Sequence, residues 1–321
     1  MPMLQITSLQ VALPGPRGMA RALRGIDLSL DRGDTVGLIG ESGCGKSMTA
    51  LALMGLLPEG AQASGSIRLD GQELVGLPDA ELCRLRGRRM AMIFQEPMTA
   101  LNPLHTVGAQ VAEPLRQHLG VGAREARAEA LRLLEQVRLP LARQRLDAYP
   151  HQLSGGQRQR VMIAAALACG PDLLIADEPT TALDVTIQRD ILDLIAELVA
   201  ARDMALLLIS HDLGVMAQNV DRVMVMYGGS IVESGPTAGV FARLAHPYTQ
   251  GLFRARPQLG AARGARLETI PGRVPELADL PPGCPFADRC PRVLDLCREP
   301  PPPFPVGSDH QARCFNMAPP P

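Results

Sequence analysis

The sequence predicts an α/β chain built on a mainly parallel sheet covered by helices. Three observations lead there. An apolar strand at residues 35–39 runs into a glycine-rich loop and then into a helical stretch. Strand-like and helical segments alternate from that point to about residue 245, the trace that a parallel sheet with crossover helices leaves in a sequence. A second wholly apolar strand, at 173–176, stops at two adjacent carboxylates, Asp177 and Glu178.

In chain order, residues 6–11 and 26–30 alternate apolar and polar, as antiparallel or edge strands do. The helix after the glycine loop is expected over 48–57, stopped by Pro58 and Gly60. Further strands are expected at 66–69, 90–94, 205–209, 222–226 and 230–233. Between 106 and 145, Ala, Arg, Glu and Leu recur at helical spacing without a strand candidate, which places a helical subdomain at about 96–165. The helix at 184–202 carries Ile187, Ile191, Leu194 and Leu198 on one stripe, a face that should pack on the sheet. Past residue 245 the composition changes: 14 of the 29 prolines lie at or beyond Pro271, with four of the seven cysteines. The chain therefore divides into a domain at 1–245 and a loop-rich extension at 246–321, whose proline runs at 300–303 and 319–321 read as extended or disordered.

Charge narrows the function. Thirty-two Lys and Arg against 33 Asp and Glu leave a net charge of −1, so no basic field exists to attract nucleic acid. The longest apolar run, residues 161–169, falls far short of the roughly 18–20 residues that span a bilayer. The N-terminus shows no basic stretch followed by an apolar one, so no export signal is visible and the expected location is cytoplasmic. Thirty-one of the 32 basic residues are arginine, and the single lysine is Lys46. A chain this rich in arginine is expected to keep lysine only where a compact ammonium is needed and a planar guanidinium does not fit.

Lys46 closes the run Gly40, Glu41, Ser42, Gly43, Cys44, Gly45, Lys46, Ser47, which fits G-x-x-x-x-G-K-[ST] between a strand and a helix. In that pattern the glycines let backbone N–H groups curl round a phosphate and the helix end adds its positive dipole. Lys46 then reaches phosphate oxygens and Ser47 can hold Mg²⁺. Asp177 would hold the same Mg²⁺ through water, and Glu178 would act as general base or orient the attacking water. The run Ser154, Gly155, Gly156, Gln157 opens a helix with a Ser and Gly cap, a second potential phosphate cradle.

That second cradle resembles the signature motif of ABC ATPases, and the remaining family positions follow in order. Gln95 is similar to the glutamine that contacts Mg²⁺ or water and signals to the membrane partner. Residues 182–184 resemble the loop crossing the dimer interface, with Asp184 at that interface, and His211 resembles the switch histidine at the γ-phosphate. The resemblance implies an ABC-type P-loop fold with a mainly parallel core sheet, an antiparallel β subdomain, a helical subdomain and a Cys/Pro-rich C-terminal extension. It also implies ATP and Mg²⁺ as ligands, sandwiched between two cassettes. One departure stands out: no aromatic residue precedes Phe94, so Met19, Ala20 or Leu23 must take the place of the usual adenine-stacking ring. Weaker adenine discrimination and a raised KM for ATP are expected. A GTPase is excluded because its guanine motif needs a second lysine. A soluble ABC ATPase of DNA repair or translation is disfavoured by the single cassette and the lack of a basic patch.

Residues 95–103 and 246–252 resemble the peptide and nickel importers of this family. The resemblance implies an ATP-hydrolysing subunit of a dipeptide or oligopeptide importer, with nickel or glutathione as alternative cargo. Its implied partners are two membrane-spanning permease subunits, a second and different ATPase chain and an extracytoplasmic binding protein, with no nucleic acid. Its implied place is the cytoplasmic face of the membrane.

Cys284, Cys290, Cys297 and Cys314 crowd a segment too poor in apolar bulk to bury its own core, so a staple is expected. Disulfides are unusual in a cytosolic chain, which favours a metal centre. The spacings differ from the usual zinc pairs. The subfamily resemblance implies a [4Fe–4S] cluster first; zinc with His310 as a substitute ligand, and free thiols, remain the alternatives.

Overall fold

The computed structural model describes residues 2–96, 100–181, 183–255 and 269–320. Its strands are β1 (Leu4–Gly15), β2 (Gly18–Leu30), β3 (Thr35–Ile39), β4 (Gln62–Leu69), β5 (Gln72–Glu73), β6 (Met90–Ile93), β7 (Leu173–Asp177), β8 (Ala205–Ser210), β9 (Arg222–Tyr227), β10 (Ser230–Pro236), β11 (Phe304–Gly307) and β12 (His310–Ala312). The helices are α1 (Lys46–Met54), α2 (Asp79–Leu85), α3 (Val107–Leu119), α4 (Ala123–Gln136), α5 (Ala142–Arg145), α6 (Gly155–Ala166), α7 (Val185–Ala201), α8 (Leu213–Asn219), α9 (Thr237–Arg243) and α10 (Pro247–Arg254). Among the described residues no helix is long and apolar enough to cross a membrane.

The chain forms two compact units. One comprises residues 1–29, 36–75 and 210–321; the other comprises 30–35 and 76–209. In the first unit, β1 pairs antiparallel with β4 from Leu4 against Leu69 to Ala12 against Gln62, with a shift between Thr7 and Gln10. β5 extends this sheet beside β4. The alternation at 6–11 comes from this arrangement, which buries Ile6, Leu9 and Val11 on one side and leaves polar residues outside. The unit's other sheet runs β3 parallel to β9, then β10, β12 and β11 antiparallel in turn.

In the second unit β6, β7 and β8 are parallel, pairing Met90 with Leu173 and Leu173 with Ala205. Every residue of β6, β7 and β8 is buried, which is why these strands read as unbroken apolar runs. Helices α3 to α6 lie within residues 107–166.

Three details differ from the sequence reading. The first two strands run longer than their alternating cores, to Gly15 and from Gly18, because the turn between them is tight. Helix α1 starts at Lys46 and ends at Met54: Gly55, at φ 62°, takes the left-handed cap and returns its N–H to Ala52 and Leu51. The extension, expected to be irregular, adds two strands. Glu233 and Ser234 of β10 pair with Ala312 and Gln311 of β12, and Phe304 of β11 lies opposite Ala312.

A buried carboxylate holds that added edge. Glu233, 1% exposed, accepts from the backbone N–H groups of Ala245 and His246 and from His310 Nε2, each at 2.8 Å. Burial alone would raise its pKa, but these donors outweigh burial and leave it below the ordinary carboxylate range. His246 caps α10 through Nδ1, which accepts from the Tyr248 N–H at 3.1 Å, so this nitrogen carries no proton. The ring is buried, and burial brings its pKa down to about 4, against a smaller opposing pull from Glu233.

A histidine held neutral in the fold but basic when unfolded makes acid destabilising. The unfolded chain binds the extra proton between about pH 6.5 and about 4, so stability falls as pH drops through that window, by on the order of 3 kcal/mol. His246→Asn keeps a capping oxygen and removes the titration. Thermal unfolding followed from pH 7.5 to 4.5 should therefore show a shallower acid decline in the variant, and parallel declines would refute the assignment.

Candidate functional site

The glycine loop at residues 40–47 joins β3 to α1 in the first unit. Gly40 has no room for a side chain: a Cβ there would stand 2.2 Å from the Met226 carbonyl oxygen and 2.7 Å from Cys44 Sγ. Gly45 is the N-cap of α1 and supplies no side-chain acceptor, and the positive end of the helix dipole there suits an anion. Lys46 is only 5% exposed, and its Nζ donates to the carbonyl oxygens of Gly40 at 2.8 Å and Glu41 at 3.1 Å. A buried ammonium is costly without a counter-charge, and a phosphate seated in the loop would supply one. The loop residues thus fit a nucleotide phosphate. Cys44 lies beneath them; burial pushes its thiol pKa up although Lys46 pulls it down.

In the second unit β7 ends at the buried Asp177, and Glu178 follows with φ at 45°, a left-handed turn that throws its side chain off the strand line. Glu178 Oε2 accepts from Gln95 Nε2 and from Thr181 Oγ1, each at 3.0 Å. Two of the expected catalytic residues are therefore in direct contact, and Thr181, which the sequence reading left out, is the third member.

The signature segment behaves as a helix cap. Ser154 is the N-cap of α6, and Gln157 Oε1 accepts from the Ser154 N–H at 3.1 Å in a capping box. Gln157 thus shapes the helix end, a local duty beside the role that the resemblance implies. Ser154 is exposed and Gly155 half-buried, so this helix end faces outward. Asp184 caps α7 by accepting from the Ile187 N–H at 3.0 Å; Ala182 lies outside the described residues, as do residues 97–99. His211 follows β8 and is exposed.

Leu23, one of the three adenine candidates, has to be withdrawn. It is fully buried, and a Cβ on Gly45 would stand 2.9 Å from its Cδ2, so it supports the loop from inside the core. Ala20 is half-buried and Met19 is exposed.

The expected metal centre is not assembled. Among the described residues no group of three or more His, Cys, Asp or Glu side chains is placed to hold a metal ion. His310, the substitute ligand, is engaged by Glu233. The four cysteines are unbridged, and Cys284, Cys297 and Cys314 are buried. They are nevertheless neighbours. The Cys284 thiol is raised to about 11, chiefly by burial with smaller contributions from Cys297, Cys314 and Cys290; Cys314 reaches about 11 by burial first and then through Cys290 and Cys297.

Contacts from the extension reach the glycine loop, and no sequence pattern announces them. Arg289 Nη1 donates to Glu41 Oε2 at 2.7 Å and Nη2 to Oε1 at 3.1 Å, while the Glu41 N–H donates to Tyr248 Oη at 2.7 Å. The partners are 248 and 207 residues apart, which no local spacing rule can see.

Comparison with known proteins agrees with this geometry. Residues 23–181 match the ABC transporter family, and residues 232–297 match the oligopeptide/dipeptide transporter C-terminal region. A putative peptide import ATP-binding protein of Brucella melitensis is 48% identical over 328 residues, covering 98% of this chain and 97% of the relative. The oligopeptide transport ATP-binding protein OppD of Salmonella typhimurium is 47% identical over 314 residues, 98% of this chain and 93% of its own. OppD of Mycobacterium tuberculosis is 49% identical over 320 residues, but there the chain spans about half of the relative, 52%. Among solved structures, the ATP-binding cassette MJ0796, a dimer in a post-hydrolysis state with ADP and Pi, superposes with a TM-score of 0.66 at 28% identity, over 73% of this chain and 99% of that one. cbiO1 of Clostridium perfringens gives 0.63 at 26% identity, over 75% and 91%. The fold is that of an ABC ATPase cassette, and the chain belongs to the ABC transporter ATP-binding proteins, in the group that carries the oligopeptide/dipeptide transporter C-terminal region.

Proposed function

We propose that the chain is the ATP-hydrolysing subunit of an ABC importer that takes up dipeptides or oligopeptides. The observation that carries the ATP reading is the buried Lys46 ammonium, held by carbonyl oxygens in an uncapped glycine loop. The peptide cargo rests on the relatives named for peptide import, and on the C-terminal region shared with them. The subunit would work at the cytoplasmic face of the membrane, bound to two permease subunits and paired with a second ATPase chain, while an extracytoplasmic binding protein delivers the peptide.

On binding ATP, Lys46 leaves the Gly40 and Glu41 carbonyls for β- and γ-phosphate oxygens, and the first N–H groups of α1 turn to the phosphates. Ser47, Asp177 and Gln95 would hold Mg²⁺, which neutralises charge developing on the phosphates. Met19 and Ala20 would cover the adenine with aliphatic surface. Glu178 takes a proton from water as the water oxygen bonds to the γ-phosphorus and the bond to ADP breaks. Gln95 and Thr181 fix the Glu178 carboxylate through Oε2. His211 contacts the γ-phosphate, and Ser154, Gly155, Gly156 and Gln157 face the ATP held by the partner cassette across an interface that includes Asp184.

We also propose that Cys284, Cys290, Cys297 and Cys314 hold a metal centre, a [4Fe–4S] cluster before zinc. Their crowding in the sequence, and the Cys284 N–H that donates to the Cys297 carbonyl at 2.9 Å and brings two of them side by side, support this reading. The thiols of Cys284 and Cys314, near 11, must surrender their protons to bind, so loading would become easier as pH rises.

Three measurements follow. Glu178→Gln should bind ATP normally yet lose turnover by roughly 10²–10⁴-fold, and retention of a tenth of wild-type ATPase activity would remove the residue from its role. Lys46→Arg should lose ATP affinity as fully as Lys46→Ala, because a planar guanidinium does not fit the cradle; near-normal binding would make the lone lysine an accident. Anaerobic purification with iron, sulfide and zinc analysis should give a brown protein absorbing near 400 nm, and a colourless, metal-free protein would overturn the metal centre.

A further inference from the structure

We propose that Arg289 is a positioning residue of the ATP site, acting through Glu41 from within the C-terminal extension. The inference rests on the ATP reading and concerns a residue outside every motif that supports that reading. Arg289 is deeply buried, with a side-chain exposure of 5%, and all of its nitrogens find acceptors. Nε donates to the Pro271 carbonyl at 2.9 Å. Nη1 donates to Glu41 Oε2 at 2.7 Å and Tyr227 Oη at 3.3 Å, and Nη2 donates to Glu41 Oε1 at 3.1 Å and the Ile270 carbonyl at 3.4 Å. The guanidinium carbon stands 5.8 Å from the Tyr227 ring centre and 6.0 Å from that of Phe286. Such a forked, fully served arginine fixes its partner in one geometry, which a lysine could not do.

The partner is the second residue of the glycine loop. Glu41 is gripped by four partners: its carboxylate by Arg289, its N–H by Tyr248 Oη at 2.7 Å, and its carbonyl by Lys46 Nζ at 3.1 Å and by the Cys44 N–H at 3.3 Å. The two holds on the carbonyl belong to the loop itself, and ATP breaks the ionic one by drawing Lys46 to the phosphates. The two grips from the extension stay in place, so Glu41 keeps its position when the Lys46 tie is lost. Arg289 also neutralises a carboxylate that would otherwise stand beside a polyanion. Tyr248 and Phe286, whose ring centres lie 5.3 Å apart, belong to the same buried cluster as Tyr227, which gives the brace a rigid footing.

A brace of this kind favours bound ATP and the transition state equally, so its loss should raise KM and spare kcat. In the full-length chain, Arg289→Ala should raise the Kd and KM for ATP roughly 5- to 50-fold and leave the rate at saturating ATP within about twofold. Arg289→Lys should recover part of the loss. The decisive arm is Glu41→Gln combined with Arg289→Ala: removing the stranded carboxylate should restore affinity relative to Arg289→Ala alone, whereas a purely architectural role would make the double variant worse. Tyr248→Phe removes a single oxygen and keeps the ring; its KM should rise roughly threefold, by the loss of one hydrogen bond. An unchanged KM in folded Arg289→Ala or in Tyr248→Phe, or a double variant weaker than Arg289→Ala, overturns the proposal while wild-type ATP binding leaves the underlying reading intact. A wild-type chain that binds no ATP removes both.

Discussion

The buried ammonium of Lys46 is the constraint around which the rest of the site is arranged. A charge at that depth has to be surrounded by oxygen, and the oxygen comes from the Gly40 and Glu41 carbonyls. This arrangement requires the loop to curl tightly, which in turn requires Gly40 to pass against the Met226 carbonyl where no Cβ fits. The ground beneath the loop must then be firm, and buried Leu23 and Cys44 supply it. A ligand with its own oxygens and negative charge can take over from the carbonyls with little rearrangement of the backbone.

The extension takes part in the fold as much as it is appended to it. Glu233 ties β10, the turn into α10 and His310 of β12 through one carboxylate. The far end of the chain is fastened as well: Arg243 donates to the Ala318 carbonyl at 2.6 Å and Gln250 to that of Pro319 at 2.9 Å. Arg17 of the turn before β2 pairs with Asp279 at 2.7 Å, and Arg24 donates to the Pro281 carbonyl at 3.3 Å. A proline-rich segment without a core of its own is ordered here by polar bonds to a neighbouring sheet, and the brace on Glu41 is one more of these.

Much of this was legible in the sequence where the signal is local. The loop at 40–47, the acids after β7 and the helical stretch at 107–166 all have spacings set by one element, so they could be read directly. The lone lysine among 31 arginines marked its position by composition alone. What stayed hidden is what depends on distance along the chain. The ion pair between Glu41 and Arg289 joins residues 248 apart, and the pairing of β12 on β10 depends on three residues too few to show a period. Leu23 as an adenine platform failed for a related reason: a strand residue's side follows from its register, and the register of β2 is fixed by neighbours that the sequence does not name. The cysteines show the same limit, since crowding in sequence predicted their neighbourhood but not a finished ligand set.

The most direct test of a preformed phosphate cradle is amide hydrogen exchange across residues 40–50 in the wild-type chain, with and without ATP and Mg²⁺. The Glu41 amide, already donating to Tyr248 Oη, should exchange slowly in both states. The amides of Gly43, Gly45 and Lys46, around the start of α1 where no side chain caps the helix, should exchange quickly without nucleotide and become protected when ATP binds. Binding of ATP with no gain of protection at Gly43, Gly45 and Lys46, or a Glu41 amide that exchanges as fast as exposed chain, would contradict the account.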